Sequence, residues 1–163
     1  MIYSLYLLFE NILKSEEWNT LQQSFNNCSK VFVIGNGGNL AVADHGAVDI
    51  TRLSNKFAIA PGSGILATSI IGDSSIDNWF QNWLEAYLAS EERQSFEKML
   101  ILGISSSGTA GNIVNCLDFA NSKGISTHMI SARKIDKNLH KFNTVSINTD
   151  FYHTGEVISL LCM

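Results

Sequence analysis

Short apolar runs, each closed by glycine or small polar residues and followed by helical periodicity, set the limits on what this chain can fold into. VFVIG (31–35) runs into GNGGN (35–39), and MLILGIS (99–105) runs into SSSGTAGN (105–112). STHMIS (126–131) and TVSIN (144–148) are further runs of the same kind. The second strand has two readings, FAIAP (57–61) or ILATSII (65–71). Apolar spacing predicts helices over 2–26 with a break near Ser15, over 39–53, and over 75–89 with Ile76, Trp79, Phe80, Trp83, Leu84, Tyr87 and Leu88 on one face. A helix over 109–123 ends at Gly124, a C′ glycine, and GEVISLLCM (155–163) begins another. Short apolar strands alternating with helices make a parallel sheet covered on both faces, and right-handed crossovers make it doubly wound. The expectation is one α/β domain over 1–163, with ligands at the carboxyl ends of the strands.

Composition narrows the partners. The chain has 163 residues, 45% apolar and 16% charged, enough for one sizeable core and unlike a disordered chain. Its net charge of −4 and scattered Lys and Arg leave no electrostatic footprint for nucleic acid. An anionic ligand must then be held by backbone N–H groups and hydroxyls. No apolar run approaches the roughly 18 residues of a membrane span, so no membrane partner is expected. MIYSLYLLFENILKSEEW has no basic n-region or small-residue cleavage site and reads as an amphipathic helix, not a signal peptide. Cys28, Cys116 and Cys162 are odd in number and have no metal-site spacing, which points to buried thiols in a reducing cytoplasm. VISLLCM stops without a polar cap, as a truncated helix or a naturally short form would.

Two glycine-rich corners carry the chemistry. In SSSGTAGN, small residues lead into a helix whose first N–H groups and positive dipole end suit an anion. The same Ser and Thr hydroxyls also suit plain helix caps, so capping corner and anion cradle both remain open. The corner fits neither GxxxxGK[ST] nor GxGxxG. GNGGN permits close backbone approach to a ligand or a plain tight turn. His45 and Asp49 stand i, i+4 on one helix face, a pair able to shuttle a proton, to supply two ligands to a metal, or simply to be solvated. Asp73 in IIGDSS is expected at a strand-to-helix corner, as an N-cap or facing a ligand. His128 reads as a packed strand residue, His140 as solvent-exposed, and His153 as a weak site candidate.

GNGGN followed by AVADHGAVDITRL, and then LILGISSSGTAGNIVNCLDFANSKGI, resembles the sugar isomerase (SIS) domain, and within it the phosphoheptose isomerases. The resemblance runs over roughly residues 30–135. It implies a flavodoxin-like three-layer sandwich with a five-stranded parallel sheet, and a homotetramer in which the N-terminal helix (2–28) packs subunits and active sites lie near their interfaces. It implies conversion of sedoheptulose 7-phosphate to D-glycero-D-manno-heptose 7-phosphate, on the way to lipopolysaccharide heptose. Ser105, Ser106 and Ser107 match the phosphate loop, Asn36, Gly37 and Gly38 the sugar-contacting turn, His45 and Asp49 the acid/base pair or zinc ligands, and Asp73 an aspartate-bearing loop. Departures stand beside these matches. Asp49 replaces Glu, Ala110 and Asn39 replace serines, and the closing helix offers Glu156 without the His expected about two turns later. Those departures open a second reading: a non-catalytic SIS protein that binds a sugar phosphate or associates with the replication initiator DnaA.

Overall fold

The computed structural model describes residues 2–136 and 138–163, the side chains of Ile2 and Tyr3 excepted, so the apolar position expected at Ile2 lies outside the described residues. The N-terminal segment folds as two helices, α1 (Ile2–Leu13) and α2 (Glu16–Asn27). Ser15 makes the break. Its Oγ donates to the Ile12 carbonyl (2.8 Å) and accepts the Trp18 N–H (3.1 Å), so one side chain closes α1 and caps α2. β1 (Lys30–Gly35), α3 (Gly38–Leu53), β2 (Phe57–Ile59), α4 (Gly64–Asp73) and α5 (Trp79–Leu88) follow. A short 3₁₀ helix (Arg93–Lys98) leads to β3 (Met99–Ser105), α6 (Gly111–Ser122), β4 (Ser126–Ser131), β5 (Asn143–Ser146) and α7 (Tyr152–Cys162).

The five strands form one parallel sheet in the order β2-β1-β3-β4-β5, the doubly wound arrangement expected. Of the two readings for the second strand, the first holds: Phe57–Ile59 pairs with Lys30–Phe32. ILATSII is helical within α4, because the sheet edge beside β1 is already taken. Ile76 precedes α5 and is exposed, so the apolar face of that helix starts at Trp79. Gly124 has φ +82° directly after the last turn of α6, as its C′ role requires.

Alternation along the central strands divides the interior in two. Val31, Val33, Leu100, Leu102 and Ile104 point to one face and pack with Trp18, Leu21, Val42, Ala43, Ile50 and Ile158 of α2, α3 and α7. Phe32, Ile34, Met99 and Ile101 point to the other and pack with Phe80, Trp83, Leu84, Ile113 and Leu117 of α5 and α6. Phe32 meets Trp83 (5.7 Å, 69°) and Tyr87 (4.7 Å, 67°) edge-on, contacts worth about 0.5–1.5 kcal/mol each beyond the area they bury. Cys28 and Cys116 are buried and Cys162 is half-buried, all three free. Burial pushes the Cys116 and Cys162 thiols up to about 12, so they are packing groups rather than nucleophiles.

A polar network ties α2 to the β4–β5 edge. Asn143 Nδ2 donates to the Glu17 carbonyl (2.8 Å), which fixes its amide orientation, and lies 2.8 Å from His128 Nδ1. Nδ1 is therefore the acceptor, and Nε2–H donates to Ser24 Oγ (2.8 Å). His128 is the packed strand residue expected, 3% exposed, and burial pushes its pKa down to about 4. Between pH 6.5 and 4 the unfolded chain takes up a proton that the folded chain refuses. Stability is then complete above 6.5 and falls with pH, by up to about 3 kcal/mol. Denaturant unfolding followed from pH 7 to pH 4 should show this loss, and His128→Gln should flatten it.

Candidate functional site

The strand order places the two glycine-rich corners side by side. β1 and β3 are neighbours, but α3 leaves β1 toward one face and α6 leaves β3 toward the other, opening a crevice between the corners. Asparagines bridge it. Asn36 Nδ2 donates to Asn112 Oδ1 (2.9 Å), and Asn112 Nδ2 donates back to Asn36 Oδ1 (2.8 Å). Asn39, 7% exposed, donates to Ser106 Oγ (3.1 Å). Of these only Asn36 is a predicted contact. The signal for Asn112 is the Gly-Asn pair that each corner contains, GNGGN and AGN.

The serines do not cap α6. Ala110 is its N-cap and makes no side-chain bond. Ser105 Oγ instead accepts the Gly108 N–H (3.0 Å), and Ser107 Oγ accepts the Thr109 N–H (3.2 Å) and hydroxyl (3.3 Å). The capping reading thus gives way to a loop braced by its own hydroxyls. In each of these bonds, and in Asn39–Ser106, the serine oxygen accepts, which leaves its proton free to donate to a ligand. Ser105 is buried beneath the loop, while Ser106 and Ser107 are half-exposed at its mouth.

The two helix N-termini at the crevice are occupied differently. The carboxylate of Glu156 lies against Gly38, where a Cβ would collide with it, at the positive end of α3. His153 Nδ1 stands 3.5 Å from Glu156 Oε2. At the N-terminus of α6 a carboxylate also stands nearby, with Asp77 Oδ1 3.5 Å from where a Cβ on Gly111 would be. That end also offers the N–H groups of Gly111 and Asn112 and the serine hydroxyls, while the Gly108 and Thr109 N–H groups are taken by the Ser105 and Ser107 oxygens. Each helix N-terminus at the crevice thus has a carboxylate close by, and the serine hydroxyls are what set the α6 corner apart.

The other expected residues lie elsewhere. His45 Nε2 and Asp49 Oδ2 are 3.2 Å apart on an exposed face of α3, the latter about 16 Å along the axis from Gly38 at a rise of about 1.5 Å per residue. Asp73 is the exposed last residue of α4, not a strand-to-helix corner or an N-cap; α5 begins only at Trp79. His140, expected in solvent, is half-buried, with Nε2 2.8 Å from the Gly108 carbonyl. Met163 stands two turns beyond Glu156, where the resemblance expects a His, and packs against Gly46 beside His45. Among the described residues no group of three or more His, Cys, Asp or Glu could hold a metal ion. His45 and Asp49 supply two ligands, short of the three or four protein ligands that zinc uses, so the described residues do not fit a zinc site.

No family model matches the chain. A phosphoheptose isomerase of Pelodictyon phaeoclathratiforme is 30% identical over 112 residues, covering 64% of this chain and 50% of the relative. One of Yersinia pestis is 32% identical over 106 residues, covering 64% of this chain and 53% of that protein. The chain spans about half the length of the curated relatives it matches. The phosphoheptose isomerase GmhA of Neisseria gonorrhoeae superposes with a TM-score of 0.78 at 21% identity, over 97% of this chain and 86% of that one. The sugar isomerase domain of an RpiR transcription factor from Sphaerobacter thermophilus gives 0.63 at 14% identity, over 99% and 84%. The chain has the sugar isomerase (SIS) fold. Its sequence similarity is to phosphoheptose isomerases, and the crevice of this chain lies between the corners after β1 and β3. Removing the bridge tests how much that crevice depends on it. Asn112→Ala should cost about 1 kcal/mol in denaturant unfolding, because the exposed Asn36 amide can turn to water.

Proposed function

We propose that this SIS chain is an aldose–ketose isomerase that converts sedoheptulose 7-phosphate to D-glycero-D-manno-heptose 7-phosphate. The observation that carries the reading is the donor set at the start of α6: a helix N-terminus with no side-chain cap bond, beside Ser106, Ser107 and Thr109, whose hydroxyls face the crevice that Glu156 borders at α3. A phosphate there meets several N–H and O–H donors and needs no lysine. The similarity to phosphoheptose isomerases supplies the sugar.

The reaction needs two groups that exchange protons with the sugar. A base takes a proton from C1 of the ketose while the C2 carbonyl oxygen receives one, giving an enediol. Return of a proton to C2 and loss of the O1 proton complete the aldose. In this reading Asp49, oriented by His45, is the base, and Glu156 is the second group. Asn36, Gly37 and Gly38 face the sugar, and Asp73 is the carboxylate proposed for a sugar hydroxyl. The pair on α3 lies too far along its helix to serve the chain's own loop. It is therefore proposed to serve a site shared between protomers of a homotetramer, in the cytoplasm. Exposed Tyr6 and Leu7 on α1, and Val157, Leu160 and Leu161 on α7, support assembly through helical faces. Among the described residues no helix is long and apolar enough to cross a membrane.

Incubation with sedoheptulose 7-phosphate should yield the heptose 7-phosphate, read by chromatography of the products. Asp49→Asn should lower turnover about 10²–10⁴-fold while leaving sugar-phosphate binding, followed by thermal shift, in place. Absence of product from the unaltered chain, or full turnover in Asp49→Asn, would contradict the assignment. Sedimentation velocity should find a tetramer, and charged substitutions at Leu160 and Leu161 should dissociate it.

A further inference from the structure

His140 lies outside the resemblance, yet it reaches the centre of the anion loop. Its Nε2 is 2.8 Å from the Gly108 carbonyl oxygen. A carbonyl only accepts, so the imidazole donates, and it does so whether neutral or protonated at Nδ1. Its ring stacks on Phe142 (4.7 Å between centroids, 9° between planes), which holds the donor in place. Gly108 has φ +71°, and Ile135 and Ser131 fill the space where a Cβ would stand. Ser131 and Ile135 thus form the floor of the loop, and His140 is its polar fastening.

The consequence follows from peptide geometry. In a trans peptide the C=O and N–H point in opposite directions. Holding the Gly108 oxygen down on His140 turns the Thr109 N–H up toward the loop, where it meets Ser107 Oγ at 3.2 Å. A flip of this peptide turns Gly108 ψ and Thr109 φ, and it is opposed at one end by the His140 bond and at the other by the Thr109 N–H to Ser107 Oγ, so losing His140 removes one of its two fastenings. The flipped form points an oxygen into the loop and withdraws the N–H that holds Ser107 Oγ. We propose that His140 is a positioning residue for phosphate binding, locking the Gly108–Thr109 peptide so that its N–H holds Ser107 Oγ and leaves the Ser107 hydroxyl proton for the ligand.

This inference rests on the sugar-phosphate reading, and the test separates the two. Titration calorimetry with sedoheptulose 7-phosphate compares the unaltered chain with His140→Phe, His140→Asn and His140→Gln. Phe keeps the stacking and has no donor, Asn is too short to reach, and Gln restores an N–H at the place of Nε2. Kd should rise roughly fivefold to tenfold in the Phe and Asn variants, the loss of about one hydrogen bond to an anion site, and should recover most of the way in Gln. The Thr109 amide resonance should shift in the free Phe and Asn variants and not in Gln. KM should follow Kd, with turnover at saturation unchanged. Should the Phe variant not fold, the Asn and Gln variants decide between them. Binding unchanged in the variants without a donor, or Gln as weak as Asn, overturns the role of His140 while the sugar-phosphate reading stands. Absence of binding by the unaltered chain overturns both.

Discussion

The neighbouring placement of β1 and β3, with α3 and α6 departing to opposite faces, is the constraint on which the rest of the structure depends. It follows from the strand order β2-β1-β3-β4-β5. It brings two corners together that are far apart in sequence, as the Asn36–Asn112 amide pair shows. A doubly wound sheet has one such gap in its covering layers, and polar backbone left there has to find partners. Here the serine oxygens take the Gly108 and Thr109 N–H groups, while the two asparagine side chains satisfy each other across the gap.

Loop chemistry, more than charge, separates two helix ends that geometry alone would leave equivalent: Glu156 stands at α3 and Asp77 near Gly111 of α6, and only α6 has the serine loop. Both α3 and α6 point their N-termini at the crevice. α7, which packs beside α3, delivers Glu156 to the first of them. This arrangement makes the site asymmetric without a single basic side chain in the loop, consistent with a chain whose net charge is −4. Donors that are fixed parts of the backbone need little rearrangement when an anion arrives, whereas a lysine would have to be ordered first.

Much of the fold was legible in the sequence because its central strands are buried on both faces and two helix ends carry clear signals, Ser15 before α2 and Gly124 after α6. MLILGIS is a strand over the residues expected, and Ser15 and Gly124 mark the helix ends they were expected to mark. ILATSII was ambiguous because a β-branched run of that length suits a strand as well as a helix packed on one side. Only the occupancy of the sheet edge decides it. In the site, SSSGTAGN and GNGGN announced themselves by composition. The partners of those corners did not: Asn112, Glu156 and His140 reach them from α6, α7 and the approach to β5. No local pattern encodes a bond between residues 32 positions apart, such as His140 to Gly108. The reverse also holds for Asp73, whose local sequence looked like a corner although a helix runs through it.

The sheet's edges carry a last consequence. β2 has three residues and β5 four, at opposite borders of a sheet whose middle strands have six or seven. So short a ledge gives an incoming strand few free backbone groups to zip against, which guards the chain against edge-to-edge aggregation. Self-association by extending the sheet is closed off at both borders. Any ordered growth of this molecule has to proceed side chain against side chain across its helices, where it can be tuned or abolished by single substitutions without touching the sheet.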